Sequence, residues 1–271
     1  MRVVLVSQIP PAAHGLKAML GGLGHEPVAL LCTREGAGRY GDDFGGLVRD
    51  APEELDVVIP ARREGIAPLL RRYDPDLLLC VGFPWKIPAE ALAVPRLGSV
   101  NGHPSLLPDY RGPSPVAWAI RNGETEAGFT FHRMDAELDT GAILAQGTFP
   151  LEDEHSWDEL TPKLEQIVAE LLPVALERIE RGDPGDPQTG GRYFSFLEPE
   201  YAWIDWAKPA EDIRRQVRAW RFAGGRTEPR GALAELDGET VRVLRVSLDP
   251  ADGRPVECGD GTLSVVETEP A

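Results

Sequence analysis

The chain reads as an α/β protein: a doubly wound, mostly parallel sheet with a small C-terminal β module. Three observations predict this. Short apolar runs of strand length alternate with helically spaced segments through the first hundred residues. A stretch rich in Gly, Pro and Asp interrupts the chain over residues 182–191, and β-like runs dominate the last forty residues. Strands alternating with helices imply parallel βαβ units.

In order, residues 3–6 form an apolar strand that enters a loop at Ser7-Gln8-Ile9-Pro10-Pro11. Leu16, Met19, Leu20 and Leu23 recur at helical spacing, and Gly24 closes that segment. Residues 28–32 and 57–59 are further strands, separated by a Gly-rich loop over 35–46. Leu69 and Leu70 sit on a short helix before Asp74-Pro75-Asp76, and residues 77–81 make the fourth strand. A fifth, 97–100, is expected to deliver Asn101 and His103 just beyond its carboxyl end, where open α/β sheets gather ligands. Ser114 and Pro115 suit the N-cap and first position of a helix over 115–121. Residues 128–134 alternate like a half-buried strand, with 143–149 as partner. The helix expected over 156–181 has Pro162 in its first turn and Pro173 as a kink. Ile213, Val217 and Trp220 mark a last helix ending at Gly224-Gly225. The β module follows in runs 232–236, 240–248, 256–258 and 262–266, with Asp237-Gly238 as a hairpin turn. The expected organisation is a catalytic domain over 1–182, a linker over 183–206, and a helix plus shortened, barrel-like β module over 207–271.

The 271 residues carry 28 Lys plus Arg against 44 Asp plus Glu, a net charge of −16. Such a surface repels polyphosphate and argues against a large nucleic-acid footprint. The opening apolar run is too short for a signal peptide, and nothing later reaches membrane-span length, so a cytosolic protein without a membrane partner is expected. Cys32, Cys80 and Cys258 are widely spaced in apolar surroundings and read as three buried, reduced thiols, with neither a disulfide framework nor a metal site.

The chemistry concentrates in Asn101-Gly-His103-Pro-Ser105-Leu106-Leu107-Pro108-Asp-Tyr-Arg111-Gly112 and in Leu138-Asp139-Thr140-Gly141. An amide, an imidazole and a carboxylate on loops of one sheet can position a carbonyl, steady an oxyanion and collect a proton. Taken singly, Asn101 before a glycine is also a turn residue, His103 a loop histidine and Asp139 a turn carboxylate. His14, His25, His132 and His155 have no such company and read as structural or surface residues. No Ser or Cys stands in a nucleophile elbow, and Ser7-Gln8-Ile9-Pro10 lacks a dinucleotide fingerprint.

In order and spacing, these motifs resemble the signature of the 10-formyltetrahydrofolate-dependent formyltransferases. Ile204-Asp205-Trp206 and Gly259-Asp260-Gly261 extend the likeness. The resemblance implies a Rossmann-like fold, N10-formyltetrahydrofolate as co-substrate and formyl donor, and no metal. It implies that Asn101 and His103 donate to the formyl oxyanion, and that Asp139 fixes the imidazole tautomer and accepts a proton. It also implies that Phe83, Trp85, Lys86 and Ile87, with Leu138 on the opposite wall, receive the pterin.

Methionyl-tRNA formyltransferases of this family carry a basic loop after the second strand and a basic C-terminal barrel. Here residues 34–43 hold two Arg against three acids, and residues 232–271 hold three Arg against nine. The expected acceptor is therefore a small-molecule amine: an amino sugar, nucleotide-linked or not, or a biosynthetic amino compound. Methionyl-tRNA is the runner-up. A formyltetrahydrofolate hydrolase and a catalytically inactive folate-binding relative are the further alternatives. The hydrolase is disfavoured because the chain starts directly on the first strand. Arg214, Arg215, Arg218 and Arg221 form one dense basic patch, a solvated face or a phosphate grip. Relatives dimerise, which makes the β module a candidate surface for a homodimer.

Overall fold

The computed structural model describes residues 1–34, 44–154, 156–223 and 231–271. The expected loop 34–43 is almost wholly outside the described residues, as are His155 and the helix end at Gly224-Gly225. Among the described residues, seven strands make one sheet: β1 (Arg2–Ser7), β2 (Glu26–Leu31), β3 (Asp56–Val58), β4 (Leu77–Val81), β5 (Ser99–His103), β6 (Glu126–Arg133) and β7 (Ile143–Pro150). Their order is β3-β2-β1-β4-β5-β6-β7. The pairs β1–β2, β2–β3, β1–β4 and β4–β5 are parallel, and β5–β6 is antiparallel. The doubly wound, mostly parallel sheet predicted from the alternating runs is therefore present.

The helices along residues 1–180 are α1 (Pro10–Gly22), α2 (Phe44–Arg49), α3 (Ile66–Leu70), α4 (Ala89–Leu92), α5 (Pro115–Asn122) and α6 (Trp157–Glu180). Pro10 and Pro11, expected in a loop, instead open α1, where a proline's missing N–H costs no helical bond. Ser114 occupies the N-cap of α5 but makes no capping bond with its side chain. Pro162 lies in the second turn of α6 rather than the first, and the helix runs on through Pro173. β5 also ends later than expected. Asn101 and His103 are its last residues rather than the loop beyond it.

The chain divides into two compact units built from interleaved segments. The first comprises residues 1–111, 128–148 and 164–192 and contains most of the large sheet. Its strands read as continuous apolar runs because both faces are covered. Val4, Val6, Leu31, Leu78 and Cys80 pack there with Ile66, Leu70 and Ile87. Burial raises the thiol of Cys80 to about 12 and that of Cys32 to about 11, so both stay protonated and inert.

The second unit comprises residues 112–127, 149–163 and 193–271. It holds α5, α7 (Ala210–Phe222) and an antiparallel sheet of β8 (Ala232–Leu236), β9 (Glu239–Ser247), β10 (Arg254–Cys258) and β11 (Gly261–Pro270), in the order β10-β11-β9-β8. Asp237 and Gly238 both have positive φ, 55° and 82°, as a two-residue hairpin turn requires. Cys258 is only half-buried, which corrects the expectation of three buried thiols: it sits near the end of a strand whose residues are exposed or half-buried. The basic patch on α7 is largely matched within the unit. Arg214 pairs with Glu211 and Asp153, and Arg215 with Glu211 and Asp212. Arg218 is buried and donates to the backbone carbonyls of Glu152 and Glu154.

Candidate active site

Side chains two apart on a strand share a face, so Asn101 and His103 stand together at the end of β5 while Gly102 turns the other way. A Cβ on Gly102 would lie 2.8 Å from Phe129 Cζ and 3.1 Å from Phe131 Cε1. Those two rings stack edge to face with centroids 5.2 Å apart. Glycine between the two polar residues is what lets this aromatic pair close on the strand.

The following loop is tied to the sheet. Ser105 Oγ donates to the Asp109 carbonyl at 2.7 Å, and Thr130 Oγ1 on β6 donates to the Ser105 carbonyl at 2.6 Å. Gln146 Nε2 on β7 donates to the Leu107 carbonyl at 2.7 Å. The loop then returns to the catalytic candidates, because His103 Nε2 lies 3.0 Å from the Tyr110 carbonyl. A carbonyl only accepts, so Nε2 carries the hydrogen, and of the two neutral tautomers this selects the one with its lone pair on Nδ1. Nδ1 faces Asp139 Oδ1 at 3.8 Å. The Tyr110 carbonyl, not Asp139 as expected, fixes the imidazole tautomer.

Asp139 has φ 58°, the left-handed region that Asp tolerates better than most residues. Its turn is held by Asp135, whose Oδ1 accepts from Glu137 N at 3.0 Å and Thr140 Oγ1 at 2.8 Å. A Cβ on Gly141 would sit on the Arg133 carbonyl oxygen, so only glycine lets the turn close there. Asp139 Oδ1 thereby lies 3.5 Å from Asn101 Nδ2. The structure brings Asn101, His103 and Asp139 together.

It adds a fourth residue. The β5–β6 register sets Asn101 directly opposite His132, and Asn101 Nδ2 lies 3.1 Å from His132 Nε2. His132 Nδ1 donates to the Arg133 carbonyl at 2.8 Å, which leaves Nε2 as the acceptor. His132 Nε2 is also 3.7 Å from Asp139 Oδ1. Burial, and secondarily the His103 ring, push the His132 pKa down to about 4 against the opposing pull of Asp139. The ring is neutral at neutral pH. His132, expected as a structural or surface residue, thus stands beside Asn101. The alternation of residues 128–134 predicts a strand but not the partner that places His132 against Asn101.

The loop after β4 carries Phe83 and Trp85, half-buried and 6.0 Å apart edge to face, with Arg63 5.9 Å from the Trp85 ring centroid. Ile87 is buried within the core cluster. Lys86 Nζ lies 3.9 Å from Glu137, and Leu138 is exposed. Among the described residues, no group of three or more His, Cys, Asp or Glu is arranged to hold a metal ion. No described helix is long and apolar enough to cross a membrane.

Two family models match the chain: "Formyl transferase" over residues 57–176 and "Formyl transferase, C-terminal domain" over residues 197–271. The chain belongs to the formyl transferase family, a family of enzymes. A methionyl-tRNA formyltransferase of Synechococcus sp. (strain JA-2-3B'a(2-13)) is 37% identical over 193 residues, covering 69% of this chain and 56% of that one. The chain thus spans little more than half the length of that relative. Among solved structures, HypX from Aquifex aeolicus in complex with tetrahydrofolic acid aligns with TM-score 0.72 at 22% identity, over 99% of this chain and 44% of that chain. A sugar N-formyltransferase from Shewanella sp. aligns with TM-score 0.67 at 18% identity, over 90% of this formyl transferase and 96% of the other.

Proposed function

We propose that this formyl transferase moves a formyl group from N10-formyltetrahydrofolate to a primary amine, through direct attack of the amine on the formyl carbon. The observation that carries this is the convergence of Asn101, His103 and Asp139 within 3.5–3.8 Å at the carboxyl end of β5. Asn101 Nδ2 gives one hydrogen to His132 and holds the other only loosely, at 3.5 Å from Asp139. That second hydrogen is available to the oxygen as it becomes an oxyanion. His103 Nδ1 has a lone pair to take the proton of the attacking amine, Asp139 beside it stabilises the imidazolium that results, and the same proton returns to N10 as the bond from N10 to the formyl carbon breaks and tetrahydrofolate leaves. Separations of 3.5–3.8 Å leave these groups able to tighten once substrate is bound. The half-buried Phe83–Trp85 pair and the exposed Leu138 supply apolar surface of the kind a pterin requires.

For the acceptor, the relatives support methionyl-tRNA, the substrate in the name of the Synechococcus protein. One observation favours a small amino compound instead: residues 232–271 carry three basic against nine acidic residues, the wrong sign for gripping phosphates. A solved sugar N-formyltransferase of similar fold fits that second reading. A formylation assay with methionyl-tRNA and a panel of nucleotide-linked amino sugars separates the two. Efficient formylation of the tRNA establishes the first, and turnover confined to a small amine establishes the second. Steady release of formate without any amine would overturn both in favour of hydrolysis.

A further inference from the structure

We infer that Gln188 is a positioning residue that holds Asp139 against His103. Gln188 lies in the stretch after α6 that the sequence marks as a linker, yet it is half-buried and makes four bonds within the first unit. Its Nε2 donates to the carbonyls of Asp139, at 3.0 Å, and Gly141, at 2.7 Å. Its Oε1 accepts from Arg111 Nε at 3.1 Å and Nη2 at 2.7 Å.

A glutamine amide has two hydrogens to give and two lone pairs to receive with, so this side chain is fully used. The orientation is forced. Turned over, the NH2 would face a guanidinium that only donates, and the oxygen would face two carbonyls that only accept. Arg111 directly follows Tyr110, whose carbonyl fixes the His103 tautomer. One amide therefore joins the loop that orients the imidazole to the turn that carries the carboxylate. The Asp139 side chain stands 3.5–3.8 Å from Asn101, His132 and His103, so its aim at His103 depends on how its backbone is held. Gln188 holds that backbone on both sides of Thr140.

This inference rests on the proposed role of Asp139, and its test keeps the two apart. Initial rates are measured with N10-formyltetrahydrofolate as donor, and with methionyl-tRNA and a nucleotide-linked amino sugar as acceptors in parallel. Gln188→Ala is expected to lower kcat by roughly 10- to 100-fold, the scale of a small misplacement of a catalytic group, with donor KM little changed. Gln188→Glu keeps the acceptor for Arg111 but sets a carboxylate against two carbonyls, so it is expected to be as slow as the alanine variant. In a chain that also carries Asp139→Asn, Gln188→Ala is expected to cost much less than it does alone, because the group it positions is already disabled. Wild-type kcat in Gln188→Glu, or a full additional loss in the double variant, overturns the inference. Asp139→Asn at the wild-type rate overturns the role of Asp139 itself. If neither acceptor turns over, crystal structures of the wild type and Gln188→Ala decide: an unchanged separation of Asp139 Oδ1 and His103 Nδ1 overturns the inference, and a lengthened one supports it.

Discussion

Asn101 Nδ2 lies 3.1 Å from His132 Nε2, so the amide proposed to steady the oxyanion is itself aimed by a buried imidazole. The contact works only while His132 is neutral, since a protonated ring would turn a donor against a donor. Replacing His132 with Phe keeps a flat ring and removes the acceptor. The loss of one neutral hydrogen bond, about 0.5–1.5 kcal/mol, corresponds to a roughly two- to tenfold fall in kcat. A His132→Phe variant at the wild-type rate would show that Asn101 is aimed by other contacts.

Removing the donor itself is expected to cost far more. Asn101→Ala deletes the proposed oxyanion donor, and loss of such a donor typically lowers kcat by about 10²–10³. Steady-state kinetics with saturating donor measures it, and a loss confined to KM would assign Asn101 to binding instead.

The His132 pKa also links stability to pH. Its folded value, about 4, lies below the ordinary 6.5, so between these values the unfolded chain binds more protons than the folded one. The stability this neutral ring contributes is fully present above about pH 6.5 and declines as pH falls toward 4. Urea unfolding at pH 7, 5.5 and 4.5 is expected to show that decline, and His132→Phe is expected to make it shallower. Equal slopes in the two proteins would remove His132 as its source.

Gly102→Ala probes the packing beneath the site. Its methyl group would meet Phe129 at 2.8 Å, so overpacking on the order of 1–3 kcal/mol is expected, with a lower Tm. An unchanged Tm would mean that the aromatic pair gives way without strain.

Arg218→Ala tests whether the basic helix grips substrate. Arg218 is buried, and its guanidinium bonds to the Glu152 and Glu154 carbonyls, so truncation is expected to destabilise by about 1.5–3 kcal/mol without changing acceptor KM. A raised acceptor KM with normal stability would restore the phosphate-grip reading.

Much of this protein is fixed by its order of residues. Apolar runs of strand length set the parallel sheet, since a strand covered on both faces cannot alternate. Asp237-Gly238 set its hairpin because few residue pairs tolerate two positive φ angles in succession. Asn101, His103 and Asp139 stood out together by type and spacing. What the sequence left open were relationships between segments distant along the chain. His132 joins the site only through the pairing of β5 with β6, and Gln188 reaches it from 77 residues beyond Arg111. The tautomer of His103 depends on where a backbone carbonyl, that of Tyr110, happens to lie. Local periodicity reports which way a side chain faces, but hydrogen-bond partners drawn from separate segments are decided only when the chain folds back on itself.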